Sequence, residues 1–202
     1  MLRGIFETAG VDQENQQNII DAILDWRDED DLVRMSGAEK DHYYKKGLSY
    51  QPANKNFQSV EELQLVMGVS AEIYQEVEPV LTVYSGQQGI NPAIASKAAL
   101  LSFPGIDAEE LDNYLFERTE SIKNNLPPPD FSLDINENSG QSGVYTVISE
   151  AMLLNGAKGR LKAVIKKITG KEGRPFNVLD WKREHLNDES LFSENMEHYL
   201  IY

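Results

Sequence analysis

The sequence has 202 residues, of which 41% are hydrophobic and 26% are charged, and this is the composition of a folded globular chain. Its formal net charge of −14 makes a polyanionic partner such as nucleic acid unfavourable. The lack of cysteine excludes disulfides and cysteine-ligated metal sites, and no apolar run reaches the roughly 18 to 20 residues that a membrane-spanning helix needs.

The first part of the chain has the pattern of short, closely spaced helices. Asp12 is a candidate N-cap, and the apolar spacing after it predicts an amphipathic helix that ends near residue 27. Ser59 followed by Glu62 is a capping-box pattern, which predicts a further helix over residues 60–67.

A short unit recurs in this part. "LVMGVSAEIY" (residues 65–74) aligns with "SFPGIDAEEL" (residues 102–111), and more loosely with "TAGVDQENQ" (residues 8–16). Each copy has a glycine, a β-branched residue, a capping Ser or Asp, and then a helical pattern. The repeat predicts three helix-turn-helix hairpins of the helix-hairpin-helix kind.

A composition change marks a domain boundary. Residues 1–126 carry 10 Lys and Arg against 22 Asp and Glu, a net charge of −12, whereas the rest of the chain has a net charge of only −2. Three prolines at 127–129 cannot continue a helix, and a Ser-, Asn- and Gly-rich stretch follows them. The sequence predicts a helical domain over 1–126, a linker over 127–142, and a third part over 143–202.

The third part has the residue types and alternation of β-strands. "GVYTVISEAML", "GRLKAVIKKIT" and "PFNVLDWKR" are rich in β-branched and aromatic residues, and Asn155-Gly156 reads as a hairpin loop between the first two. A three-stranded antiparallel sheet follows, so that the fold class is α+β. One face of this sheet is apolar and must be covered. In the chain as a whole, the two tryptophans, Trp26 and Trp181, are expected to be core anchors.

An acidic cluster follows the first long helix. Five acids lie within the seven positions from Asp25 to Asp31, and Glu39 comes shortly after them. Carboxylate oxygens are the preferred ligands of Ca²⁺, which takes six to eight oxygen atoms, and Asp28, Asp30 and Asp31 with Glu39 are candidate ligands. Anions at a helix C-terminus oppose the macrodipole, so that a bound cation would explain the clustering. The alternative is a solvated acidic surface.

Other site types are poorly supported. The acidic stretch is not an EF-hand, because Leu32 and Val33 fall where a ligand and the turn glycine should stand. Nucleic-acid binding by the hairpins is a weaker alternative function, since their turns contain no Lys or Arg. The three histidines are isolated and the sequence has no nucleophile elbow or phosphate loop, so that a non-enzyme is favoured over a carboxylate hydrolase.

Several stretches resemble the minor pseudopilin K of the type II secretion system, also called general secretion pathway protein K. The resemblance begins with Asp21 to Trp26, Asp28-x-Asp30 and Gly37-Ala38-Glu39, continues through residues 50–86, and includes the strands in residues 153–184. Asn91-Pro92-Ala93 departs from the family's usual Asn-Thr-Ala-Pro. The match covers nearly the whole chain.

The resemblance implies a pseudopilin fold into which a large helical domain is inserted. It also implies a non-enzymatic role at the tip of the periplasmic pseudopilus, in complex with the minor pseudopilins I and J, during export of folded proteins across the outer membrane. Family members bind calcium in the helical domain, which makes Asp25, Asp28, Asp30, Asp31 and Glu39 the expected ligands.

Members of that family also begin with a long apolar helix that anchors them in the inner membrane. The sequence starts past the corresponding point, so that we expect a periplasmic fragment whose only link to the membrane is an anchor outside these residues.

Overall fold

The structure is a computed structural model that describes residues 2–86, 89–103, 105–131, 143–155, 157–168 and 175–184. The chain divides into two compact units: Met1–Val83 with Ile90–Ile135, and Tyr84–Gly89 with Asn136–Tyr202. All the described α-helices belong to the first unit and all the described strands to the second. The predicted linker falls mostly on residues outside the described ranges, so that its role stays a prediction.

The first unit consists of short helices joined by tight turns. Six α-helices are described: α1 (Leu2–Thr8), α2 (Gln13–Arg27), α3 (Lys40–Lys45), α4 (Ala71–Val77), α5 (Lys97–Leu101) and α6 (Ala108–Lys123). Two 3₁₀ helices, Val60–Leu65 and Glu78–Val80, accompany them. The predicted end of the first long helix near residue 27 is confirmed.

The sequence repeat is confirmed in the local structure. Its three glycines, Gly10, Gly68 and Gly105, have φ angles of 74°, 94° and 86°, a left-handed conformation that glycine adopts without a Cβ penalty. The capping residue that follows each glycine accepts a hydrogen bond from the first turn of the next helix: Asp12 caps α2, Ser70 caps α4 and Asp107 caps α6.

The predicted capping box at Ser59 is wrong. The Ser59 side chain makes no capping hydrogen bond, and the element that follows is a 3₁₀ helix over Val60–Leu65. Glu62 reaches one residue further back, where its Oε1 accepts a hydrogen bond from the Gln58 N–H at 2.8 Å. The tighter winding of the 3₁₀ helix changes the positions that can meet across the first turn, which accounts for the different partner.

Two hydrophobic clusters stabilise the first unit. The larger one packs around α2, where Trp26 is 3% exposed and its ring centroid lies 6.0 Å from that of Tyr43 and 6.3 Å from that of Phe57. Trp26 is therefore the core anchor that the sequence predicts. The smaller cluster joins α5 to α6 through Leu100, Leu111 and Tyr114.

The second unit contains the predicted antiparallel sheet, with strands β1 (Val144–Met152), β2 (Lys158–Lys167) and β3 (Phe176–Glu184) in the order β1-β2-β3. In its register, Val147 lies opposite Ala163, which lies opposite Trp181. A bulge at Val164/Ile165 shifts the β2-β3 pairing by one residue. The backbone N–H of Leu153 donates to the Ala157 carbonyl at 2.8 Å, which closes the hairpin where the sequence places it.

One face of this sheet is apolar and exposed. Its hollow is lined by Val147, Leu161, Ala163, Ile165, Phe176, Val178 and Trp181. Trp181 is 64% exposed, so that the expectation of a buried core anchor is wrong within the described residues: it lies on the face that the sequence left without a cover. None of the described helices combines the length and the apolarity that crossing a bilayer requires.

Candidate metal centre

The C-terminal half of α2 carries acidic side chains on its buried side. The helix ends at Arg27, and the backbone N–H of the cap residue Asp28 donates to the Leu24 carbonyl at 3.1 Å. Asp21 is only 9% exposed and Asp25 is fully buried. A buried carboxylate near the negative end of a helix is costly, so that compensating groups must be close by.

The segment after α2 folds back and supplies backbone amides to these carboxylates. The Arg34 N–H donates to Asp25 Oδ2 at 3.2 Å, and the Ser36 N–H donates to Asp21 Oδ2 at 3.1 Å. Gly37 approaches so closely that a Cβ added there would lie 2.0 Å from Asp25 Oδ2. The backbone of this segment is therefore fitted against the helix only because residue 37 has no side chain.

The Arg34 guanidinium bridges two of the carboxylates. Its Nη2 donates to Asp28 Oδ2 at 2.7 Å, and its Nε lies 3.3 Å from Asp25 Oδ1. The second contact is within ion-pair distance but does not have hydrogen-bond geometry, since Asp25 Oδ1 is buried without a hydrogen-bond partner. The Arg34 guanidinium is therefore shared between two carboxylates, and Asp25 Oδ1 still has no hydrogen bond.

Glu39 is the third buried acid of the cluster. It is 5% exposed and stands at the N-cap of α3, where its backbone N–H donates to His42 Nδ1 at 3.3 Å. The side chain faces the His42 N–H in a capping-box arrangement, but both of its carboxylate oxygens are buried without a hydrogen bond of normal geometry. Asp28 Oδ1 is also buried without a hydrogen-bond partner. Asp25, Asp28 and Glu39 therefore have four buried carboxylate oxygens without a hydrogen bond.

These surroundings oppose ionisation. Burial, reinforced by the charges of Asp25 and Asp28, raises the pKa of Glu39 to about 7. Burial also raises the pKa of Asp25, although the Arg34 backbone amide and guanidinium act in the opposite direction. Carboxylates that hydrogen bonds had satisfied would show lowered pKa values, so that this cluster has more negative charge than the protein groups around it neutralise.

Asp30 and Asp31 lie on the solvent side of the cluster. Asp30 Oδ1 accepts from the Leu32 N–H at 2.8 Å, and Asp31 Oδ1 accepts from the side-chain amide of Asn54 at 3.2 Å. Asn54 has a φ of 47°, and its backbone N–H donates to the Trp26 carbonyl at 3.0 Å. This residue fastens the acidic segment to the end of α2.

The five predicted ligands are thus brought to one region, but not into a finished shell. Asp25 and Glu39 are buried and Asp28 is partly buried, and the charges of Asp30 and Asp31 are close enough to raise the pKa of Glu39. Across the described part of the chain, no group of three or more His, Cys, Asp or Glu side chains is arranged to hold a metal ion as it stands. The Arg34 guanidinium is paired with two of these acids, Asp25 and Asp28.

Sequence reasoning missed three residues of this region. Asp21 is buried and bonded to the returning segment, Arg34 supplies the cation, and Gly37 permits the close packing. Arg34 had a detectable signal, because it is the only basic residue between positions 28 and 39. Gly37 was noticed only as part of a resemblance, and the sequence does not show which atom it faces.

The comparisons with known proteins place this region within a family. Residues 1–86 match the family model described as "Type II secretion system (T2SS), protein K". These residues belong to the type II secretion system protein K family. The matched residues include α1 to α4 and every acid of the cluster, so that the candidate metal centre lies wholly within the protein K domain.

Whole relatives support the same assignment. The chain is 30% identical over 147 residues to type II secretion system protein K of Dickeya chrysanthemi, which covers 71% of this chain and 39% of that protein. It is 24% identical over 207 residues to the protein K of Pseudomonas aeruginosa, which covers 90% of this chain and 61% of that protein. The chain therefore spans about two fifths to three fifths of the length of these two relatives.

The fold agrees with this relationship. A chain in the crystal structure of the GspK-GspI-GspJ complex of the type 2 secretion system from enterotoxigenic Escherichia coli superimposes with a TM-score of 0.61 at 17% identity. The superposition covers 92% of this chain and 69% of that chain. The α+β class predicted from the sequence is confirmed, as is the resemblance to protein K.

Replacing Gly37 by Ala tests the close packing in the protein K domain. The added methyl group would overlap Asp25 Oδ2, so that Gly37→Ala must displace the returning segment. We expect a loss of about 1 to 3 kcal/mol in the free energy of unfolding, measured by urea denaturation followed by circular dichroism. Gly159→Ala, where a Cβ meets no atom within 4 Å, is the control, and equal stabilities of the two variants would contradict the packing described.

Proposed function

We propose that this chain is the periplasmic part of a minor pseudopilin K, a non-enzymatic component of the type II secretion pseudopilus. The observation that carries the proposal is the match of residues 1–86 to the protein K family. The similarity in fold to a chain of a solved GspK-GspI-GspJ complex supports the extension to the rest of the chain. The proposed role is at the pseudopilus tip, on the periplasmic side of the inner membrane, in export of folded proteins.

The partners that follow from this role are the minor pseudopilins I and J. The test is size-exclusion chromatography with light scattering, in which this chain is mixed at tens of micromolar with the soluble domains of both proteins from the same organism. We expect one peak that contains all three chains, and its mass is compared with those of the chains run singly and in pairs. Three separate peaks at that concentration would count against the proposal.

We further propose that the acidic cluster binds calcium. Asp25, Asp28 and Glu39 together carry three negative charges when ionised, and Arg34 returns one positive charge. A divalent cation would neutralise more of this negative charge than Arg34 does. The four buried carboxylate oxygens without hydrogen bonds are the atoms that a hard cation would take.

The residues present fit calcium better than magnesium. Asp25, Asp28 and Glu39 would hold the ion from the protein side, and Asp30 and Asp31 would complete the shell from the solvent side. Calcium accepts six to eight oxygen ligands in flexible geometry, whereas magnesium requires a compact octahedron and gives up water reluctantly. The ion would supply charge neutralisation and would tie the segment after α2 to the N-terminus of α3.

No observation favours the nucleic-acid alternative for the helical hairpins. Their turns lie in a part of the chain whose net charge is −12, and the caps of α2, α4 and α6 are Asp12, Ser70 and Asp107. Two of these caps are themselves anionic, so that a phosphate would meet repulsion where a binding hairpin offers free amides.

A further inference from the structure

Arg34 contacts two of the carboxylates that a bound metal ion would need. Its guanidinium contacts Asp28 Oδ2 at 2.7 Å and lies 3.3 Å from Asp25 Oδ1, so that it pairs with two of the five proposed ligands. A divalent cation that took these oxygens would be pressed against another positive charge in a partly buried setting. Such proximity of like charges is unfavourable, so that the two cations compete for the carboxylates of Asp25 and Asp28.

The guanidinium is also an incomplete substitute for a metal ion. It leaves Asp25 Oδ1, Asp28 Oδ1 and both oxygens of Glu39 without hydrogen bonds. Its N–H donors have a fixed planar arrangement, whereas a calcium ion accepts oxygen ligands from all directions. The exchange of one cation for the other would therefore satisfy atoms that Arg34 does not reach.

The Arg34 side chain lies at the edge of the acidic cluster, next to solvent. Its side chain is already 41% exposed, whereas that of Asp25 is fully buried. The backbone of the same residue is held separately, because its N–H donates to Asp25 Oδ2 at 3.2 Å. The guanidinium can swing into solvent by rotation of its own side chain while the backbone of the returning segment stays in place.

We propose that Arg34 is a tethered counter-cation that neutralises the acidic cluster in the metal-free protein and is displaced into solvent when calcium binds. This inference rests on the proposed calcium site and adds its regulation: Arg34 lowers the affinity for the metal and protects the metal-free fold. The released guanidinium becomes an exposed positive charge in a strongly acidic unit, so that the surface presented to a partner differs between the two states.

The test compares Arg34→Gln with Arg27→Gln by isothermal titration with calcium alone. Arg27 lies in the last turn of α2 and is exposed, so that its replacement removes the same charge close to the cluster without removing a cation from it. We expect Arg34→Gln to bind calcium at least about tenfold more tightly than Arg27→Gln does. Arg34→Lys, which keeps the charge but not the planar array of donors, is expected to lie between Arg34→Gln and the unmodified protein.

Two further readouts separate exchange from a general effect of charge. In chelator, Arg34→Gln is expected to melt several degrees below Arg27→Gln, and calcium should abolish that difference. In the unmodified protein, the NMR signal of the Arg34 Nε–H should shift to that of a solvent-exposed arginine when calcium is added.

The outcomes are distinguishable. Equal calcium affinities for Arg34→Gln and Arg27→Gln would overturn the exchange while leaving the calcium site intact, and loss of binding in Arg34→Gln alone would do the same by making Arg34 a support of the site. Binding by Arg34→Gln where the unmodified protein shows none would support the exchange most directly. No binding by any of these proteins would overturn the calcium site and the exchange together.

Discussion

In about 1 mM calcium, the protein is expected to unfold about 5 to 10 °C above its melting temperature in chelator. For a dissociation constant of about 10 μM, binding to the native state alone adds roughly 2.7 kcal/mol to the free energy of unfolding. In a chain of this size, each kcal/mol corresponds to about 2 to 4 °C. Magnesium at the same concentration should have much less effect, because the spread ligand set does not offer a compact octahedron.

The variant Glu39→Gln is expected to change the melting temperature in a characteristic way in chelator and in calcium. Glu39 is buried with both oxygens unbonded, so that removing its charge should raise the melting temperature in chelator and abolish the rise that calcium causes. Glu29→Gln is the matched control, since Glu29 is exposed and lies between the same acids. Identical melting curves in calcium, magnesium and chelator would make the cluster a metal-free acidic core.

The metal-free protein is expected to lose stability as the pH rises from about 4.5 to about 7. Burial raises the pKa of Glu39 from 4.5 to about 7, so that within this interval the folded state binds more protons than the unfolded state. Stability therefore falls with increasing pH, by on the order of 3 kcal/mol across this 4.5-to-7 interval if Glu39 behaves independently. The pKa of Asp25 is raised as well, which gives a contribution of the same sign.

Urea unfolding in chelator at pH 5 and pH 8 measures this dependence. Glu39→Gln should remove most of the decrease, because an amide does not titrate in this range. Calcium should also flatten the curve, since a bound cation favours the ionised carboxylates. A metal-free protein that gains stability between these pH values would show that Glu39 is ionised at little cost.

The location of the acidic cluster could be predicted because it depends on local rules. The apolar spacing after Asp12 fixes where α2 lies and where it ends, and acids placed at a helix C-terminus stand out against the macrodipole. The caps of the repeated units are equally local, since a Ser or Asp after a glycine satisfies the free amides of the next turn. The strands of the sheet follow from their alternation and from the sequence Asn155-Gly156, which is typical of a hairpin loop.

The internal structure of the site could not be predicted, because it depends on contacts between distant residues. Whether Asp25 is exposed or buried is decided by the return of Gly37 across it. The role of Arg34 requires that its backbone and its guanidinium both reach the end of α2. Trp181 is a similar case: its large apolar surface indicates burial, but only the arrangement of the sheet shows which face it is on.

The hydrogen bonds of Asn54 have a kinetic consequence. Asn54 donates hydrogen bonds to the Trp26 carbonyl at the end of α2, and to the Asp30 carbonyl and Asp31 Oδ1 in the acidic segment. Each of these partners is 23 or more positions away from Asn54 in the sequence. Closing a loop of this length costs chain entropy, so that we expect the acids to come together only after α2 and the Trp26 cluster have formed. Calcium would then bind only after the transition state for folding. We therefore expect calcium to slow unfolding and to leave the folding rate nearly unchanged. Stopped-flow measurements of both rates in calcium and in chelator would test this.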